Sequence, residues 1–434
     1  MSSETRTTIS GPMWWWSLLL LALAAIPDVM PYPGLKLLIA ERFGLQDAGA
    51  QLFAIFALFG ALAAVPMLRR ARLWSPRKVL AIAALIQAVS ISLMALPVDW
   101  IIILLLRCIQ GYVDLILLVT LTTIVTASSR STGRGFGVAG SAVLIGLAIG
   151  LALGGWLTSV SASVVFPLSA LVSVLIAVAS LLLPSRPLAS DDGGSTPARF
   201  RDRKVITAGA FSASDRMISG MMTVSLPLLL ANSFEASPSV IGMVLAAPLL
   251  VCAIGGYFAG VLVDRVGAVP VRICAVPLQA AGLALVVISG GVIGVLFAGT
   301  MLLALGALLL MPTSLVIGTG RRPDEVQLDS VGGIQALGQA GHLFGVVSIT
   351  LMSLLLGSVT SGAVLGLVGF YLLWNAGWLG FLRHAHRADT TSDLQDRLSR
   401  GPVAVRRLIP PVSGTHGPRG RMLTGASSSD LSDS

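Results

Sequence analysis

The sequence predicts an all-α polytopic membrane protein, with twelve transmembrane helices arranged as two pseudo-symmetric six-helix bundles. Three observations predict it. Of 434 residues, 55% are hydrophobic and only 11% are charged, whereas a soluble globular chain, whose surface must face water, carries roughly 25% charged residues. The apolar residues fall in long unbroken runs, matching the roughly 20 residues that a helix needs to cross a bilayer, and they lack the alternation of a membrane β-barrel. The basic residues cluster in every second connection, as expected of a chain that crosses repeatedly and keeps its positive loops on one side.

Taken in order, the apolar stretches place spans at 13–40, 48–68, 78–97, 100–125, 136–158 and 162–183, then at 205–231, 239–263, 271–289, 291–318, 330–356 and 359–382. The first span follows a single arginine, Arg6, and carries Trp14, Trp15 and Trp16 as an interface anchor. It is long enough to cross and has no small-residue cleavage site, so it reads as an uncleaved helix and not a signal peptide. Spans two and three flank Arg69, Arg70, Arg72, Arg77 and Lys78, while spans four and five flank Arg130 and Arg134. Between spans six and seven stand Arg186, Arg199, Arg201, Arg203 and Lys204. Spans eight and nine flank Arg265 and Arg272, spans ten and eleven flank Arg321 and Arg322, and eight arginines follow the last span. With Arg6 these make 25 of the 29 basic residues; Arg42 falls in an outside loop, and Lys36, Arg107 and Arg216 fall within spans. Both termini are therefore expected in the cytoplasm, with the chain in a bacterial inner membrane. The net charge of +9 is expected to set topology and not to bind nucleic acid.

This reading divides the chain into a cytoplasmic N-terminus at 1–12, a first bundle at 13–184, a linker at 185–204, a second bundle at 205–383 and a tail at 384–434. Pro, Gly and Ser make the linker a flexible connector, and the tail has too little apolar content to bury and is expected to be disordered. Cys108, Cys252 and Cys274 lie in apolar spans without paired spacing, as buried small hydrophobes and not as disulfides or metal ligands.

The two halves echo each other. Gly260-Val-Leu262-Val-Asp264-Arg265-Val-Gly267 between spans eight and nine is matched by the basic turn from Arg69 to Lys78 between spans two and three. Asp28 in span one and Asp215 in span seven lie 187 residues apart, and glycines 146, 150 and 154 in span five are answered by 338, 341 and 345 in span eleven. Six-helix repeats with a site at their interface suit transport, because rocking one half against the other exposes the site to each side in turn.

With these residues in view, the chain up to about residue 383 resembles the major facilitator superfamily, and within it the proton-coupled drug and metabolite antiporters. The stretch from Gly260 to Gly267 is similar to that family's signature turn, which is usually stronger after span two; here the first half carries Arg72 where the Asp is expected. Arg107-Cys-Ile-Gln110-Gly111 resembles the family's Arg-x-x-Gln-Gly motif. Gly146-x-x-x-Gly150-Leu151-x-x-Gly154-Gly155 resembles its antiporter motif, with Leu151 in place of the usual proline. The resemblance implies a fold of two six-helix bundles, an alternating-access cycle, and a cavity lined by spans one, four and seven.

A charged side chain at the bilayer centre costs about 2.5–3.5 kcal/mol on insertion scales, so ions within spans are candidates for function. They are Asp28, Arg107, Asp114, Asp215 and Arg216, joined by the titratable His342, with Lys36 nearer a helix end. Asp28 follows Pro27 and precedes Pro31 and Pro33, where the helix is expected to kink or unwind. A carboxyl there can load or release a proton according to whether a cation is close. Arg107 is its expected partner, as a movable counter-charge, the alternative being a fixed pair that only ties spans one and four. Asp114, two turns beyond Arg107 on roughly the same face, is either a second acid reading a cationic solute or a local companion to Arg107. Asp215 and Arg216 point about 100° apart, so one is expected to face the cavity and the other a neighbouring helix or, for Arg216, the inner surface. Gln335, Gln339 and His342 form a stripe on span eleven, suited to proton relay or solute contact, or to packing between helices. The expected solute-binding set is thus Asp114, Asp215, Gln110, Gln335, Gln339 and His342. The gating and motif set is Gly260, Asp264, Arg265 and Gly267 with Gly146, Gly150 and Gly154, whose small size suits a sliding interface between the halves.

The sequence has no phosphate-binding loop and no HExxH or GxSxG motif, so an ATP-driven pump or an enzyme is not expected, and neither is a cofactor or a bound metal. The expected function is a secondary transporter, acting as a monomer on a small organic or cationic solute with protons as the coupling ion, by export. Three alternatives stand beside it: a proton symporter importing a sugar, organic acid or amino acid; a metal permease, for example for iron; and a transporter-like scaffold or sensor acting through its basic tail.

Overall fold

The computed structural model describes residues 11–45, 47–71, 73–129, 131–183, 203–320, 328–356, 366 and 368–381. Among these residues there is no β-strand. All of them belong to one compact unit, Met1–Leu382. The expected linker and tail lie outside the described residues, except that Arg203 and Lys204 already begin a helix. Arg72 also lies outside them.

The first span is broken where its prolines require. Helix α1 (Gly11–Val29) ends one residue past Asp28, a 3-10 turn runs over Tyr32–Gly34, and α2 (Leu35–Phe43) completes the crossing. Pro27, Pro31 and Pro33 each lack the amide hydrogen that a continuous helix needs, so the backbone next to Asp28 cannot remain regular. The second span is α3 (Asp47–Ala63) with α4 (Val65–Ala71), interrupted before Pro66. The third to sixth are α5 (Pro76–Met94), α6 (Trp100–Ala127), α7 (Thr132–Val160) and α8 (Val165–Ser180).

The second half repeats the series with α9 (Arg203–Ser233), α10 (Pro238–Val266), α11 (Ala268–Val287), α12 (Ile293–Thr319) and α13 (Leu328–Leu356). A last helix, α14, covers 368–381. Ten helical segments among the described residues are long and apolar enough to cross a membrane. The other two elements stand where spans seven and twelve are expected. Helix α9 carries Arg203, Lys204, Asp215 and Arg216, which lower its hydropathy, and α14 is described over only part of the expected span.

The packing has two-fold character. In the first half α1 packs on α7 and α3 on α6; in the second α9 packs on α13 and α10 on α12. Across the halves, α7 lies along α10 and α3 along α13, so each half offers its fifth element to the other's second. This interface is close enough that the halves form a single compact unit.

Glycines set these approaches. A β-carbon on Gly146 or Gly150 would run into Ala22 or into Ile26 and Val29 of α1, one on Gly154 into Met30 just past its end, and one on Gly341 or Gly345 into the backbone of Ala213 or Met217 on α9. Both rows therefore seal helices within a half, which corrects the expectation that Gly146, Gly150 and Gly154 form the sliding interface. That interface uses the other face of α7, where Gly133, Gly137 and Gly155 meet Gly260, Gly256 and Pro238 of α10. The same contacts are compatible with the 187-residue offset between Asp28 and Asp215: Gly150 over Ile26 and Gly154 over Met30 are matched by Gly341 over Ala213 and Gly345 over Met217.

Candidate functional site

A cavity of about 480 Å³ opens between the halves, lined by residues of both. Asp28, Arg107, Asp114, Asp215, Arg216, Gln335, Gln339 and His342 all border it. Gln110 does not: it is buried outside the lining, with its amide nitrogen unpartnered, which removes it from the expected solute-binding set. The motif glutamine points away because it lies three residues past Arg107, about 60° off that side chain's direction on α6.

Asp28 and Arg107 meet as expected. One terminal nitrogen, Nη2, of the fully buried Arg107 donates to Asp28 Oδ1 at 2.8 Å and to the Tyr32 hydroxyl at 3.0 Å. The guanidinium also lies over the Phe53 ring, 4.6 Å from its centroid, which holds the cation by its quadrupole. Nε and Nη1 of Arg107 have no hydrogen-bond partner among the described residues. The Asp28 side chain keeps 28% of its surface exposed, toward the cavity. Tyr32 is a participant the sequence reading missed; its signal was a lone tyrosine between two prolines, one turn beyond Asp28.

Asp215 has a different environment. Arg272 clasps it with two parallel bonds, Nη1 to Oδ2 at 2.9 Å and Nη2 to Oδ1 at 2.7 Å. The guanidinium stacks on Phe211 at 3.9 Å and donates to Ser314 Oγ at 2.9 Å and Asn375 Oδ1 at 2.6 Å. Tyr371, which donates to Gln279 at 2.6 Å, places its hydroxyl 3.4 Å from Asp215. Side chains of α9, α11, α12 and α14 thus converge on one buried pair. This corrects one expectation: Arg272, counted among the loop charges, is fully buried in α11. Asp215 borders the cavity and is matched there by its own cation.

Arg216, on the adjacent position of α9, faces the cavity and not the bundle end. Its Nη2 donates to Gln335 Oε1, and it makes no ion pair among the described residues. Asp114 stands on the other half, on α6, and feels the charges of Asp28, Arg107 and Arg216. Its Oδ1 is buried without a hydrogen-bond partner, and so is Gln339 Oε1. His342 Nε2 lies 3.1 Å from Thr223 Oγ1, so the stripe on α13 reaches the cavity through all three of its polar residues.

Polar contacts also join the halves at both ends. Asp264, in the last turn of α10, accepts from Ser131 Oγ at 2.6 Å and from the amides of Gly133 and Arg134 at 3.1 Å each. It caps the first turn of α7 from the opposite half, where the free amides and the helix dipole favour a carboxylate. Gly267 ends α10 with φ of 102°, a conformation that side chains disfavour, which accounts for the last glycine of the motif. Arg265 is exposed beside it and takes no part in the cap. At the other end Asn232 donates to Asp47 at 2.9 Å, and Lys36 lies 3.5 Å from the same carboxylate and bonds Asn232.

Among the described residues no group of three or more His, Cys, Asp or Glu side chains could hold a metal ion.

The family model of the Major Facilitator Superfamily matches the chain twice, over residues 17–214 and 207–413. No curated protein matches the sequence. Among solved structures, the human organic anion transporter MFSD10 (TETRAN) is similar with a TM-score of 0.66 at 18% identity, covering 85% of this chain and 98% of its own. A bacterial homolog of the human lysosomal transporter Spinster, in an inward-facing and unoccupied conformation, is similar with a TM-score of 0.63 at 15% identity, covering 85% of this chain and 96% of its own. At these identities the likeness is one of fold.

Proposed function

Because the chain belongs to the major facilitator superfamily, a family of transporters and not of enzymes, we propose that it is a proton-coupled antiporter that exports a small organic solute by alternating access. The observation that carries this reading is the difference between its two buried acid–arginine pairs. Arg272 holds Asp215 with both terminal nitrogens and leaves its side chain 11% exposed, whereas Arg107 holds Asp28 with one nitrogen at 2.8 Å and leaves it 28% exposed at the cavity. A carboxylate held by one nitrogen at a helix break has fewer bonds to lose on protonation than one held by two nitrogens inside a network of four helices, and in either case the buried arginine must find another partner.

In the proposed cycle a proton entering from the cavity neutralises Asp28 and frees Arg107. Two of that guanidinium's nitrogens lack partners in the present arrangement, so it has capacity to bond elsewhere. Loss of the bond between α1 and α6 then biases the halves toward one orientation, and solute binding favours the proton's departure. Export is the direction we assign, on the likeness of Gly146 to Gly155 to an antiporter motif. The distribution of basic residues supports both termini lying in the cytoplasm, and the membrane we assign is a bacterial inner membrane.

The direction is tested by solute flux in proteoliposomes under pH gradients of both signs. Antiport predicts that solute moves against the proton flow. Accumulation on the side that protons enter establishes import by symport instead.

A further inference from the structure

The charges around the cavity balance in an informative way. Asp28 is matched by Arg107 and Asp215 by Arg272, which leaves Asp114 on one half and Arg216 on the other. No ion pair joins these two among the described residues, although each lies within the other's field. Asp114 is 8% exposed, with Oδ1 buried and unpartnered, and Arg216 has Gln335 as its one hydrogen-bond partner among the described residues.

We propose that the cavity binds a zwitterionic solute, its anionic group on Arg216 and its cationic group on Asp114. A lone cation would satisfy Asp114 and face Arg216, and a lone anion would do the reverse. Either leaves one charge on the cavity wall uncompensated. A solute carrying both charges satisfies both walls and keeps the cavity neutral. Gln339 also borders the cavity and adds a polar side chain to its wall. Arg216 can offer a carboxylate two parallel donors, the geometry guanidinium groups favour. Leu118, Met222 and Met311 line the remainder, so the solute has an apolar body between its charged ends.

The proposal deepens the transporter reading by naming its substrate class, but it is read out by binding alone. The test uses the purified full-length protein and three trios of probes: alanine, leucine and phenylalanine, each with its methyl ester as the cation and its N-acetyl derivative as the anion. Equilibrium binding and thermal stabilisation are measured at neutral pH. For at least one skeleton the zwitterion is expected to bind at least about tenfold more tightly than both derivatives, since a site built for a charged group rejects an analogue that lacks it. Arg216→Gln is then expected to erase the preference over the ester, and Asp114→Asn the preference over the N-acetyl form. An ester or N-acetyl derivative binding as tightly as its parent, or no skeleton binding, overturns the proposal, and the wild-type trios decide this even if a variant fails to fold. Zwitterion preference without flux in proteoliposomes removes the transporter reading and keeps the site; gradient-driven flux without that preference does the opposite.

Discussion

Arg272 grips Asp215 through both of its terminal nitrogens, at 2.9 and 2.7 Å, in a pocket with no open side toward water for the arginine. The pair ties α9 to α11 and, through Ser314 and Asn375, to α12 and α14. Removing one partner of such a pair leaves a buried charge without compensation. Arg272→Met is therefore expected to destabilise the protein by about 3–5 kcal/mol, read as a lowered unfolding midpoint in detergent. The double variant Asp215→Leu with Arg272→Met removes both charges and is expected to recover most of that loss. A double variant as unstable as the single one contradicts a purely structural role.

The glycine rows carry a second expectation. A β-carbon on Gly154 would overlap the backbone oxygen of Met30, beside the break that presents Asp28. Gly154→Ala must push α7 away from α1, at a cost of about 1–3 kcal/mol from overpacking. Gly294 has open space around its Cα, and Gly294→Ala is expected to leave the unfolding midpoint unchanged. Equal midpoints for the two variants would contradict the packing described.

At one end of the interface, Asp264 supplies α7 with a cap from the other half. Asp264→Ala is expected to remove about 1–2 kcal/mol of capping and to shift the population toward the form open at that end. The measurement is labelling of a cysteine introduced at Met311, in the cavity lining, with Cys108, Cys252 and Cys274 replaced by alanine, by a membrane-impermeant thiol reagent applied from that side. Faster labelling in the Asp264→Ala background is expected; an unchanged rate would show that the cap does not hold the halves together.

The architecture was legible because a bilayer punishes error: long apolar runs and alternating basic loops leave few ways to fold. Asp28 and Arg107 were legible for the same reason, since charges within apolar runs are conspicuous. Arg272 was not. It lies five residues past Gly267, close enough to the loop to count as a topological charge, and only the convergence of α9, α11, α12 and α14 shows that it is buried. Asp215 consequently looks unpaired in the sequence, because its partner is hidden. The glycine rows were visible, but a helix with glycine on two faces does not announce which face meets the partner half. That depends on packing between elements far apart in the chain.

The central claim is that Asp28 carries the coupling proton while Arg107 serves as its counter-charge. It is tested most directly in proteoliposomes with Asp28→Asn, which keeps the side chain's size and its hydrogen bonding to Arg107 but cannot exchange a proton. The solute is the probe that best stabilises the wild-type protein across cationic, anionic and zwitterionic classes. The account predicts that Asp28→Asn still exchanges labelled for unlabelled solute and no longer moves it in response to a pH gradient. Undiminished gradient-driven transport by this variant would contradict it.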